Sequence, residues 1–343
     1  MKYSIIICAF NEEGNIEACL NSVRIAMEEF GNQAEVIVVD NSSADKTIQE
    51  VERVKSIFEN FCKFTLIKIS HVPLAVSRNT GMSQARGEFV LFIDADAVVD
   101  RAWLKEMERC VFENPDKEVF SGKVKNLSQR KEDFSNVYYR MIVAPSQHLS
   151  GSKLIGANMA FRKSSIEKVG AFSSVTTLRG DEVFVLRKLV EEYGPGCEQH
   201  CKDSVVFNEF PNSYFSMLKI VRVEAFSYAL ILCSGYARPY EGLSRSLMAV
   251  SWVLGLFLFF INPWLGGVIW GGRLLLRFRF LGSSFSFCSK RSLFEALSSI
   301  WINSLNVVVF DLVFLFFMLK TPKNRQFLEQ QVFYEKSKIL QVV

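Results

Sequence analysis

Over the first 210 residues, short apolar runs alternate with longer amphipathic stretches, and several of the runs stop at a polar cluster. A strand buried on both faces reads as a continuous apolar run, and a crossover helix as a stripe of period 3.6. The alternation therefore predicts a mostly parallel α/β sheet with helices packed on it. Strands are expected over residues 3–9, 34–39, 64–69 and 88–93, and helices over 15–30 and 45–58, the second opened by Asn41-Ser42-Ser43-Ala44-Asp45. Three clusters follow strand ends: Asn11-Glu12-Glu13, Asp40-Asn41-Ser42-Ser43 and Asp94-Ala95-Asp96. Open parallel sheets bind ligands beyond the carboxyl ends of their strands, so these acidic clusters should converge on one site.

The length of 343 residues allows about two domains at a prior of roughly 150 residues each. A hydrophobic fraction of 49% with 22% charged residues excludes a disordered chain, a collagen-like chain and a small disulfide scaffold. Charge is uneven: residues 1–235 carry 28 basic and 31 acidic side chains, whereas 236–343 carry 12 and 5. The basic, apolar second part suits an anionic membrane surface, and no basic stripe interleaved with aromatics points to nucleic acid. The eight cysteines, at 8, 19, 62, 110, 197, 201, 233 and 288, are expected to be reduced thiols of a cytosolic domain, because the run Ile5 to Phe10 is too short for a signal peptide. Cys197-x-x-His200-Cys201 has a metal-like spacing but no evident fourth ligand, and ordinary cysteines near a turn are expected there.

Residues 247–270 contain no Lys, Arg, Asp or Glu, and at about 1.5 Å per residue they could cross a hydrocarbon core of about 30 Å. Asn262-Pro263 interrupts them, so a span and a re-entrant hairpin both stand. Residues 300–319 are a second candidate span, with Asn303, Asn306 and Asp311 directed at protein and not at lipid. The expected organisation is a catalytic domain over 1–235, membrane-associated helices over 236–320 and a basic tail over 321–343. Residues 215–243 are a candidate interfacial element.

The sharpest chemical signal is Asp94-Ala95-Asp96 directly after a buried strand. Alternation sends both carboxylates to one side, where oxygen ligands suit Mg²⁺ or Mn²⁺ bridging to substrate phosphates. With the blocks Ser4 to Glu13, Val39 to Thr47, Ser77-Arg78-Asn79-Thr80-Gly81, Ala85 to Asp96, Gly156 to Arg162, Val169 to Phe172 and Gly180 to Arg187, in that order, residues 1–210 resemble the family 2 glycosyltransferases.

That resemblance implies a GT-A (Rossmann-like) fold and inverting transfer of a sugar from a nucleotide-diphosphate sugar. It implies donor contacts from Phe10, Glu12, Asp40, Arg78 and Asp94, with Asp96 the chief metal ligand beside Asp94. The base that deprotonates an acceptor hydroxyl falls to Asp181 or Glu182; the family usually has Glu-Asp there, and this chain has Asp-Glu. The family often has His after the strand near 205–207, where this chain has Asn208-Glu209. The absence of Gln-x-x-Arg-Trp argues against processive synthesis. A cytosolic domain attached to a membrane and facing a lipid-linked or saccharide acceptor follows as the expectation. A polyprenyl-phosphate acceptor and a non-catalytic membrane scaffold are its alternatives.

Overall fold

The computed structural model describes residues 2–30, 34–128, 135, 139, 155–173, 180–213 and 215–220, with scattered positions between 250 and 268 and Leu312. The chain divides into two compact units, Met1–Tyr139 with Ser150–Phe210, and Arg140–Leu149 with Pro211–Val343.

In the first unit the order is β1 (Tyr3–Ala9), α1 (Ile16–Phe30), β2 (Ala34–Asp40), α2 (Thr47–Phe58), β3 (Phe64–Lys68), α3 (Leu74–Gln84), β4 (Phe89–Asp94), β5 (Val98–Val99), α4 (Trp103–Glu113), β6 (Val119–Asn126), β7 (Met159–Arg162), α5 (Lys163–Lys168), α6 (Asp181–Tyr193) and β8 (Glu198–Asn208). Among the described residues the strands form one sheet of order β3-β2-β1-β4-β7-β6-β8-β5. The half from β3 to β4 is parallel, as expected. Beyond β4, β7 is antiparallel to both β4 and β6, and β5 is antiparallel to β8, while β6 and β8 run parallel; the sheet is mixed, with parallel pairs the majority among the described strands, as expected.

Successive side chains of a strand face opposite sides, and β1 and β4 split their apolar residues accordingly. Ile5, Ile7, Phe89, Leu91 and Ile93 join a core with α1, α2 and α4. Ile6, Val90 and Phe92 join a second core with α3, α5 and α6. This burial on both faces is why the strands read as unbroken apolar runs.

One polar side chain holds the mixed half together. Asn158 is fully buried; its Oδ1 accepts from Trp103 Nε1 at 3.0 Å, and its Nδ2 donates to the carbonyls of Lys123 at 3.1 Å and Ser204 at 2.9 Å. It thereby links α4, β6 and β8 from its place just before β7. Gly122 leaves it room, since a Cβ there would lie 2.1 Å from Asn158 Nδ2.

The expectation of reduced thiols throughout is corrected. Cys110 of α4 and Cys201 of β8 form a disulfide, with Cα atoms 5.7 Å apart, while Cys8, Cys19, Cys62 and Cys197 are free thiols. Cys201 is thereby unavailable to a metal, and His200 Nδ1 donates to the Ser121 carbonyl at 2.9 Å.

In the second unit, residues 215–220 are helical, and so are the described positions from Val250 to Val268 except Asn262. Asn262 closes the preceding turn onto the Leu258 carbonyl at 2.7 Å and accepts from Trp264 N at 3.0 Å, as a helix-breaking cap does. Val250, Leu254, Phe257, Ile261, Trp264 and Val268, at helical spacing, are exposed. Among the described residues no helix is long and apolar enough to cross a membrane. The expected span over 300–319, apart from Leu312, the tail over 321–343 and most of the interfacial element and of 247–270 lie outside the described residues.

Asn158→Ala leaves the carbonyls of Lys123 and Ser204 and the Trp103 indole N–H unsatisfied in the interior. It should lower unfolding stability by about 2–4 kcal/mol, read as a lower denaturation midpoint with an unchanged slope.

Candidate functional site

The acidic clusters meet because β2, β1 and β4 are adjacent and parallel. Ala9 pairs with Asp40 and Cys8 with Asp94, so three strand ends open on one edge.

The first two loops are tied together before any ligand arrives. Asn11 N donates to Ser43 Oγ at 3.0 Å, Glu12 N to Thr47 Oγ1 at 2.7 Å, Glu13 N to Asp45 Oδ2 at 3.0 Å, and Gly14 N to the Glu50 carboxylate at 3.0 Å. In return, Ala44 N donates to Asn11 Oδ1 at 2.9 Å. These N–H groups lead into α1 and have no partner within it, so the loop after β2 and the first turn of α2 satisfy them. The tight path needs left-handed backbone at Asn11 (φ 56°) and Ser42 (φ 68°).

Asp40, at the end of β2, is 1% exposed. Its Oδ2 accepts from Ser43 N at 3.2 Å, and its Oδ1 is buried without a partner. An unpaired buried carboxylate oxygen is costly unless something else supplies a donor. Phe10, after β1, is exposed and stacks on His71 with ring centres 4.6 Å apart. Asn41 holds the backbone beside His71, accepting from Val72 N at 2.9 Å and donating to Val72 O at 2.8 Å. His71 lies just beyond the end of β3, a position that sequence reasoning passed over.

Arg78 of α3 lies at the centre, 4% exposed. Its Nη1 donates to both carboxylate oxygens of Asp181, at 2.8 and 2.7 Å, and its Nη2 lies 3.5 Å from Asp94 Oδ1. Gly156 gives it space, since a Cβ there would meet Arg78 Nη2 at 3.0 Å, and the Phe172 ring stands 5.5 Å from its Cζ. Burial opposes the charge on Arg78, but Asp181 and then Asp94 outweigh it and raise its pKa.

Asp181 and Glu182 open α6, behind Gly180 in a left-handed conformation (φ 91°). Asp181 is buried against Arg78, whereas Glu182 is only partly covered. Burial first, and the neighbouring Asp181 second, raise the Glu182 pKa well above the usual carboxylate range, with Arg78 opposing.

Asp94 ends β4, and Asp96 follows in the turn whose Ala97 N donates to the Asp94 carbonyl at 3.1 Å. Burial, and then Asp94 and Asp45, raise the pKa of Glu12 against the Asn15 amide. Beneath them, burial raises the Cys19 thiol, and Asp96, Asp94 and Glu12 add to the shift. Glu12, Asp94 and Asp96 therefore share one negative field. Among the described residues no group of three or more His, Cys, Asp and Glu could enclose a metal ion. Two carboxylates on an open edge nevertheless fit a hard cation such as Mg²⁺ or Mn²⁺, which takes its other ligands from water and phosphate.

Of the sequence-selected residues, Arg78 contacts Asp181 and lies near Asp94, Glu182 adjoins Asp181, and Glu12 feels the charge of Asp94. Asp96 lies beside Asp94, and Asp40 and Phe10 lie at the adjoining strand ends.

Residues 4–170 match the family model described as glycosyl transferase family 2. Poly(ribitol-phosphate) beta-N-acetylglucosaminyltransferase TarS of Staphylococcus aureus is 36% identical over 107 residues, which are 31% of this chain and 18% of that protein. Glycosyltransferase AglE of Haloferax volcanii is 26% identical over 185 residues, 52% of this chain and 58% of that protein. The matched stretch is thus under a fifth of TarS and somewhat more than half of AglE. Among solved structures, mannosyltransferase PcManGT from Pyrobaculum calidifontis, in complex with GDP-Man and Mn²⁺, shares the fold with a TM-score of 0.59 at 17% identity, over 93% of this chain and 87% of that one.

Arg78→Met leaves the buried Asp181 without its partner and should cost about 3–5 kcal/mol of stability. Adding Asp181→Asn to it should recover part of that loss in a denaturation series.

Proposed function

We propose that the chain is an inverting glycosyltransferase of GT-A fold that moves a sugar from a nucleotide-diphosphate sugar to a hydroxyl of a lipid-linked or saccharide acceptor. It would work from the cytosolic face of a membrane, in envelope polysaccharide or glycolipid assembly. The family match over 4–170 and the strand-end carboxylates support this reading. The observation that carries it is the arrangement at the start of α6, where Arg78 donates to both oxygens of Asp181 and Glu182 stands beside that pair as a second carboxylate, its pKa raised by burial and by Asp181.

In this reading Phe10, Glu12 and Asp40 hold the nucleoside side of the donor, Asp40 through the oxygen that has no protein partner. Asp96, assisted by Asp94, would hold Mg²⁺ or Mn²⁺, which would neutralise charge on the departing diphosphate. Arg78 fixes Asp94 on the donor side and Asp181 on the acceptor side in one arrangement, so the donor cradle and the base keep a constant separation. Glu182 takes the proton of the acceptor hydroxyl as that oxygen attacks, and a single displacement of this kind inverts the anomeric carbon. Its raised pKa favours the proton it must receive. Membrane attachment rests on the uncharged residues 247–270, the basic surplus of 236–343 and the exposed apolar positions from Val250 to Val268.

Nucleotide release with Mn²⁺ across a panel of nucleotide sugars tests the reading. Glu182→Gln should lose about 10² to 10⁴ in rate. If no donor releases nucleotide and Asp96→Ala binds donor as well as the unaltered chain, the proposal is wrong. If Asp181→Asn and Glu182→Gln both stay active, the acceptor is a phosphate already ionised, as in polyprenyl phosphate, and needs no base. A base works only once its proton has left, so kcat/KM should rise with pH through a midpoint above the ordinary carboxylate range. That limb should flatten in Glu182→Gln.

A further inference from the structure

β8 does not run straight along β6. Gly122 pairs with Cys201, but the next residue, Lys123, pairs with Val205, so Lys202, Asp203 and Ser204 bulge out of the ladder. Cys201 is the last paired residue before the bulge, and its disulfide partner, Cys110, stands on α4. The bulge is tied to the same helix twice more: Ser204 Oγ donates to the Trp103 carbonyl at 3.1 Å, and Arg109 Nη2 pairs with Asp203 Oδ2 at 2.7 Å on the surface.

Past the bulge, β8 reaches the acidic edge. Val206 and Phe207 pair with Val99 and Val98, and Asp100 N donates to the Val205 carbonyl at 2.9 Å. Val98 comes two residues after Asp96. A bulge fixes where a strand resumes its pairing, and the covalent link fixes where this one begins. The position of β5, and of the turn that carries Asp96, therefore depends on a register set beside Cys201.

We propose that the Cys110–Cys201 disulfide is a redox-sensitive positioning clamp for the Asp94–Asp96 turn, closed when oxidised and loosened by a dithiol reductant. One dithiol thiolate attacks a sulfur of the pair, the second resolves the mixed disulfide, and two electrons and two protons leave Cys110 and Cys201 as thiols while the dithiol becomes a cyclic disulfide. The exposed ion pair and the Ser204 bond remain, so the sheet stays folded. Cys110 and Cys201 are 8% and 4% exposed, which makes exchange slow, not forbidden. The clamp is independent of the proposed chemistry, because its test reads thiols and backbone protection, not sugar transfer.

The test uses the full chain purified without reductant. Alkylation in denaturant followed by peptide mapping should leave Cys110 and Cys201 unmodified before dithiothreitol and modify both after it. Hydrogen exchange should show the amides of Val98 to Asp100 losing at least tenfold in protection on reduction, with β1 to β3 unchanged and the loss reversed by oxidised dithiothreitol. Cys110→Ser should resemble the reduced protein and not respond to dithiol. Alkylation of Cys110 and Cys201 under oxidising conditions would overturn the proposal. So would equal protection of Val98 to Asp100 in both redox states, or a loss of protection spread evenly over the sheet, which marks a merely structural crosslink. Should Cys110→Ser fail to fold, the reversible comparison on the unaltered chain decides alone.

Discussion

A guanidinium held in the interior between two carboxylates is the constraint on which the site depends. Arg78 is buried, and a buried cation is tolerable only where opposite charge and hydrogen bonds surround it. Asp181 supplies two hydrogen bonds and Asp94 a nearby charge. The three residues come from α6, α3 and β4, so the arrangement fixes a helix start, a helix face and a strand end relative to one another. Such a pair adds little net stability over well-packed apolar side chains. What it contributes is geometry, because removing one partner strands the others.

The same logic explains the unequal carboxylates at the start of α6. They share a helix N-terminus, which favours negative charge. Asp181 accepts two hydrogen bonds from Arg78, while burial and the neighbouring Asp181 raise the Glu182 pKa against the opposing charge of Arg78. The environment thus gives adjacent residues of the same chemical type different surroundings and different tasks.

Much of the parallel half was legible in the sequence because its strands are buried on both faces, and an apolar run such as Tyr3 to Ala9 has few other readings. Its strand-end residues were legible for the same reason, since Asp40 and Asp94 stop those runs. The mixed half was harder. β7 has four residues, β5 has two, and β8 carries polar residues through its bulge, so none shows a period long enough to read. Cys110 and Cys201, 91 residues apart, carry no local mark of their pairing. Arg78 could be selected from its motif, but not its burial, because α3 has only a weak apolar stripe and its partner lies 103 residues away. His71 escaped because a lone histidine after a strand looks like any loop residue until Phe10 is seen beside it.

The interlocked loops after β1 and β2 have a thermodynamic meaning of their own. Main-chain donors of one loop are already bound to side chains of the other, and the left-handed turns at Asn11 and Ser42 are already made. A molecule arriving at this edge finds the loops in place and has little ordering entropy to overcome there. Recognition on that side is closer to a key entering a finished lock than to a hand closing on an object, and preferences among ligands would show in how long each one stays.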